Sequence, residues 1–195
     1  MIHRVIMTCA RAMATLGGVV LVALILMTCL SVLGRELGAF FQSDVLRSHA
    51  PALAGWLSGL GIGAVYGDFE LVEAGVAFCI FAFLPLCHLT GAHATVNILA
   101  ERFSGRAQRL LAALIAVLFA AVMVAVAVQL WGGMQSKLRS GTTSALIEFP
   151  IWWAYAACMA GAVLAAVVAV FLAAVRCAEA WFGVVLISAT EGRAP

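Results

Sequence analysis

From Ala12 to Leu33 the chain reads AMATLGGVVLVALILMTCLSVL, without one charged side chain. Three more stretches of this kind follow: FELVEAGVAFCIFAFLPLCHLT from Phe69 to Thr90, LLAALIAVLFAAVMVAVAVQLW from Leu110 to Trp131, and IWWAYAACMAGAVLAAVVAVFLAAV from Ile151 to Val175. A hydrocarbon layer about 30 Å thick is crossed by about 20 residues of α-helix, so each run is long enough to span it. Each is expected to be helical, because a helix satisfies its own backbone N–H and C=O groups where water is absent. A membrane barrel would instead show alternating segments of about ten residues, and these runs do not alternate. The pattern predicts an all-α integral membrane protein, one membrane domain over 1–195 with four transmembrane helices.

The polar gaps refine this picture. Arg4 and Arg11 precede the first run, as in a signal peptide. Its apolar stretch is longer than such peptides carry, and GREL follows it in place of a small-residue cleavage site, so it is expected to stay as a helix. Between the first and second runs, RELGAFFQSDVLRSHAP is followed by a second apolar stretch, ALAGWLSGLGIGAVYG. The part from Pro51 to Tyr66 would make a helix of about 24 Å, marginal for crossing. If it crossed, Arg102, Arg106 and Arg109 would lie outside, so an interfacial or re-entrant segment is expected. Within it Gly55, Gly59, Gly63 and Gly67 recur every four residues, the spacing that lets helix backbones approach closely. The same glycines also suit a flexible surface loop, since Ser58 and Gly61 weaken any helix there.

Composition agrees with the membrane reading: 65% of the 195 residues are hydrophobic and 10% charged, with a mean hydropathy of +1.13. Seven arginines (Arg4, Arg11, Arg102, Arg106, Arg109, Arg176, Arg193) flank one side of the predicted spans and four basic residues (Arg35, Arg47, Lys137, Arg139) the other. Positive charge favours the cytoplasm, which predicts cytoplasmic termini. The net charge of +2 is scattered and gives nucleic-acid binding no support. The six cysteines are scattered along the apolar runs or beside them without paired spacing and read as small apolar fillers, with neither a disulfide framework nor a zinc site indicated. Trp131, Trp152, Trp153 and Tyr155 stand where interfacial aromatic belts lie.

Few residues suggest chemistry. Asp68 and Glu70 open the second run, where the helix macrodipole favours negative charge. Glu73 lies one turn deeper, where a charge needs a partner or must snorkel to water. Pro85 removes a backbone hydrogen bond inside the same helix, so a kink is expected near it. His88 and His93 raise the question of haem. They are five apart on one segment and cannot sandwich a porphyrin, while His3 and His49 are far off, His49 on the opposite side of the membrane. No nucleophile–base pair, metal-ligand cluster or phosphate loop appears, so neither an enzyme nor a resident cofactor is expected. Only Gln129 and a few Ser, Thr and Gly residues interrupt the hydrocarbon of the first, third and fourth helices, and no internal repeat marks a complete small transporter.

The stretch GDFELVEAGVAFCIFAFLPLCHLTGAHATVNILAERFSGRAQRLL, Gly67 to Leu111, resembles the small membrane subunit of TRAP transporters, the tripartite ATP-independent periplasmic family. Gly91, His93 and Val96 match a Gly-x-His-x-x-Val-Asp-like turn of that family, with Asn97 where Asp is more usual. GREL and SGTTSALIEFPIWWAYAACMAG extend the likeness over nearly the whole chain. The resemblance implies a bacterial inner-membrane protein that braces a large membrane subunit, which takes up an organic acid with sodium after a periplasmic substrate-binding protein captures it. Its expected partners are therefore that large subunit, the binding protein and the lipid bilayer. His93 and Asn97 are expected to fix the turn between helices two and three. Glu73 and the Gly55, Gly59, Gly63 spacing are expected at subunit contacts. A membrane anchor for a redox enzyme and a stand-alone exporter are the competing readings.

Overall fold

The computed structural model describes residues 2–41, 63, 65–91 and 105–182. Four helices make up nearly all of them: α1 (Ile2–Phe41), α2 (Asp68–Thr90), α3 (Gly105–Ser140) and α4 (Trp152–Phe182). All four are long and apolar enough to cross a membrane. The expected all-helical fold with four apolar helices is thus present. Of the expected interfacial or re-entrant segment only Gly63, Val65 and Tyr66 are described, and none of them is helical; the rest lies outside the described residues.

Three helices outrun their apolar stretches. α1 has 40 residues and α3 has 36, about 60 and 54 Å at the standard rise. The added turns carry charge, Arg4 and Arg11 before the apolar part of α1, Arg35 and Glu36 after it. Hydropathy marks where lipid ends, whereas a helix already nucleated continues through good helix formers such as Arg, Glu and Gln until something stops it. After α2 and α3 the stops are glycines. Gly91 ends α2 at φ 64°, its N–H bonded to the Cys87 carbonyl, and Gly141 follows α3 at φ 60°. Both take the left-handed conformation that caps helices and that glycine adopts without a Cβ clash. Gly91, which opens the Gly-x-His-x-x-Val turn, is therefore a helix stop.

The helices neighbour one another in the order α1, α2, α4, α3. The most extensive pairing joins α3 to α4, followed by α1 with α2 and α2 with α4, while α1 meets α4 only slightly. Ser31, Leu24 and Gly17 of α1 face Asp68, Gly75 and Ala82 of α2 respectively, one continuous antiparallel register. At the opposite end of the bundle His3 of α1 approaches Phe171 of α4, and His88 of α2 stacks on Phe119 of α3 with ring centroids 4.1 Å apart. Arg176 and the buried Glu179 form an ion pair of 2.8 Å on the last turns of α4.

What lies between the helices is small. The buried apolar residues are Ala10, Ala14, Ala82, Ala113, Ala120, Ala162, Ala165, Ala169 and Ala173 with Cys79, Cys158 and Val168, while Val19, Leu26 and Leu118 are 65% exposed or more. In lipid nothing is gained by hiding a leucine from its surroundings, so association rests on close backbone approach, and small side chains permit it. Gly161 is the tightest case between helix backbones: a Cβ there would stand 2.7 Å from the carbonyl carbon and oxygen of Phe81. The Cys79 thiol donates to the Gly17 carbonyl across the α1–α2 contact, at 3.3 Å. Pro85 is fully buried inside α2, which continues past it to Thr90.

Candidate functional site at the entry of the second helix

The chain enters α2 through Gly67, held at φ 73°. Its carbonyl accepts from the N–H groups of Glu70 and Leu71 at 3.1 and 3.2 Å, starting the helix. A Cβ at this position would lie 2.2 Å from Cγ1 of Ile147. Glycine is required twice over, for the backbone conformation and for the side chain packed against it. Gly67 is thus the pivot of a turn, which accounts for a glycine at the end of the four-residue spacing without any helical ridge.

Asp68, the first residue of α2, reaches back to α1. Its Oδ2 accepts from the Ser31 hydroxyl, and its Oδ1 accepts from the Phe69 N–H at 2.8 Å. The Ser31 oxygen in turn accepts from the Val65 N–H at 3.1 Å. One fully buried hydroxyl therefore ties α1 both to α2 and to the strand of chain leading into it. Ser31→Ala is expected to lower the apparent melting temperature of the purified protein in mild detergent by about 2–10 °C, because it takes a partner from the Asp68 carboxylate and from the half-buried Val65 N–H. Circular dichroism on heating checks this, and an unchanged transition would show that water replaces the hydroxyl.

Glu70 holds a different element. Its carboxylate accepts from the Ser144 hydroxyl at 2.7 Å, the Leu146 N–H at 2.7 Å and the Ile147 N–H at 3.0 Å. All three donors belong to the connection between α3 and α4, which folds back on itself: Thr143 pairs with Pro150, the Ser144 N–H donates to the Phe149 carbonyl at 2.9 Å, and the Ile151 N–H to the Thr142 carbonyl at 3.2 Å. At its tip Glu148 has φ 59°, unusual for a residue with a side chain. Two acids two residues apart thus clamp α2 to α1 on one hand and to the α3–α4 turn on the other. Helices one to four are joined at one end of the bundle through this short entry.

The macrodipole is a sufficient reason for acids here, and local pattern suggests nothing more. The partners lie 37 and 74 residues away or more, beyond any local pattern. Sequence reasoning missed them; the signals that could have found them are a lone serine near the end of an apolar run and the hydroxyl-rich Thr142, Thr143, Ser144 ahead of Pro150. Of the residues singled out from sequence, Glu73 is exposed on α2 one turn beyond the clamp, and no hydrogen bond or ion pair involves it among the described residues. Gly63 is exposed, with open space where a Cβ would be. Gly55, Gly59, His93 and Asn97 lie outside the described residues.

A family model described as "Tripartite ATP-independent periplasmic transporters, DctQ component" matches residues 24–180, from the middle of α1 to the last turn of α4. No curated protein and no solved structure matches the chain.

Proposed function

Because this chain belongs to the DctQ component family of the tripartite ATP-independent periplasmic transporters, we propose that it is the small permease subunit that braces the large membrane subunit of such a system. It is a multi-pass membrane protein and a transporter component, not an enzyme. In the proposed complex the large subunit carries the substrate and sodium sites and imports an organic acid delivered by the periplasmic binding protein. The arginine distribution supports a bacterial inner-membrane location with both termini in the cytoplasm, which puts the Asp68 and Glu70 clamp at the periplasmic end.

The observation that carries this reading is the clamp itself. A brace must hold its shape while its partner moves, and Asp68 and Glu70 tie the ends of α1, α2 and the α3–α4 turn to one another through four side-chain hydrogen bonds, with a fifth from the Val65 N–H to the Ser31 hydroxyl. The helices between are packed through alanine and glycine and present large apolar side chains outward, suited to lipid and to another membrane protein.

The test is to tag the chain, extract it from native membranes in mild detergent without cross-linker, and identify what accompanies it. Recovery of a much larger multi-spanning protein in about equal amount is the expected result. Recovery of the chain alone, or with a soluble oxidoreductase, would overturn the assignment.

A further inference from the structure

Glu73 is a carboxylate displayed on the outside of α2, one turn further along the apolar helix than Glu70. The α1–α2 register that sets Ser31 opposite Asp68 and Leu24 opposite Gly75 puts Glu73 level with Leu26. Leu26 stands nine residues, about 13 Å of helix rise, before Arg35, the nearest charged residue toward that end of α1. In the other direction the nearest is Arg11. A helical side chain leans back over the turn before its own Cα, about 5 Å at most, which brings this carboxylate to about the level of Glu70 and the polar turn but not to that of Arg35.

The face around it is coherent. Phe69, Val76 and Ile80 are 77%, 38% and 58% exposed. With Glu73, also exposed, they recur at steps of four, three and four, which places them on one side of α2. That side is turned away from Gly17 and Leu24 of α1 and from Gly161 of α4, the close contacts of α2. An apolar stripe with one acid in its middle is costly against hydrocarbon and well matched to a protein surface that offers one positive charge at the same depth.

We propose that this face of α2 docks on the large membrane subunit, and that Glu73 there pairs with a lysine or arginine side chain of that subunit within the outer half of the bilayer. The proposal rests on the DctQ reading, deepens it, and commits the interface to α2. Pairing in the bilayer would also make the contact selective, since an apolar helix of the wrong partner would leave the carboxylate unneutralised.

The experiment compares the wild-type chain with Glu73→Leu and Glu73→Gln, each tagged and produced together with its large subunit, with complexes recovered in mild detergent. Glu73→Leu fits an exposed lipid-facing position at least as well as glutamate, so on its own it should fold. The expected result is a loss of tenfold or more in co-recovered large subunit for Glu73→Leu and a smaller loss for Glu73→Gln, with the yield and melting of the small subunit alone unchanged. Full recovery with Glu73→Leu would show that the face meets lipid and would overturn the proposal. A drop in stability of the isolated Glu73→Leu chain would overturn it too, by placing the partner within this chain. Failure of the wild-type chain to bring a large subunit would instead defeat the underlying functional reading.

Discussion

Gly161→Leu is expected to force α2 and α4 apart and to be among the most damaging single changes in the chain. Any Cβ at this position meets the Phe81 carbonyl group at 2.7 Å and the Phe81 Cβ at 2.9 Å. These atoms belong to a helix backbone and its first side-chain carbon, so no rotamer change relieves the clash. The helices must separate, which opens the α2–α4 contact along its length. Overpacking a well-filled core costs about 1–3 kcal/mol when side chains can yield, and this site lies at or above that upper end. The apparent melting temperature in detergent should therefore fall by about 10 °C or more. Gly132→Leu is the matched comparison, since a Cβ there meets nothing within 4 Å. Equal melting of the two variants would show that the α2–α4 seam contributes little to stability.

The second large effect is expected from Glu70→Ala. One substitution removes the acceptor for a hydroxyl and two backbone N–H groups, and so releases the tip of the α3–α4 turn from α2. That turn holds Glu148 in a left-handed conformation which only fixed surroundings sustain. Cleavage near Leu146 to Phe149 by a protease of broad specificity should rise about tenfold or more, since cleavage follows the population of the open form when opening is fast. Mass spectrometry of the fragments reads this directly. Glu70→Gln should fall between, because its amide keeps one oxygen acceptor but turns an NH2 group toward a donor. An unchanged cleavage rate in Glu70→Ala would mean that the turn is held by its own internal bonds.

The number and type of the helices were legible in the sequence because bilayer thickness imposes a length on each apolar run that little else in the chain can imitate. Their ends were not, since α1 and α3 continue through Arg, Glu, Gln and Lys where hydropathy has already fallen. Neighbour order was hidden for a related reason. A lipid-surrounded helix is apolar on every side, so no stripe marks which face packs, and Gly161 in its tight seam looks no different in sequence from Gly132 in open space. The acids of the α2 entry were visible as helix-start residues, but their partners were not, because a hydrogen bond from Glu70 to Ser144 joins positions that only the folded chain brings together. Glu73 stood out from sequence through the physical cost of its charge, a cost set by depth and therefore visible before any contact was known.

The order α1, α2, α4, α3 also bears on how the chain comes together as it is made. α1 and α2 can pair as soon as both are in the bilayer, closing a first hairpin. α3 enters third, yet its main neighbour is α4, which has not been synthesised at that moment. Until α4 arrives and settles between it and α2, the contact of α3 with the first hairpin is the stack of Phe119 on His88. The donors of the Glu70 latch, Ser144, Leu146 and Ile147, are made before α4, so the latch can seat the α3–α4 turn on the entry of α2 and aim the last helix at the gap between α2 and α3.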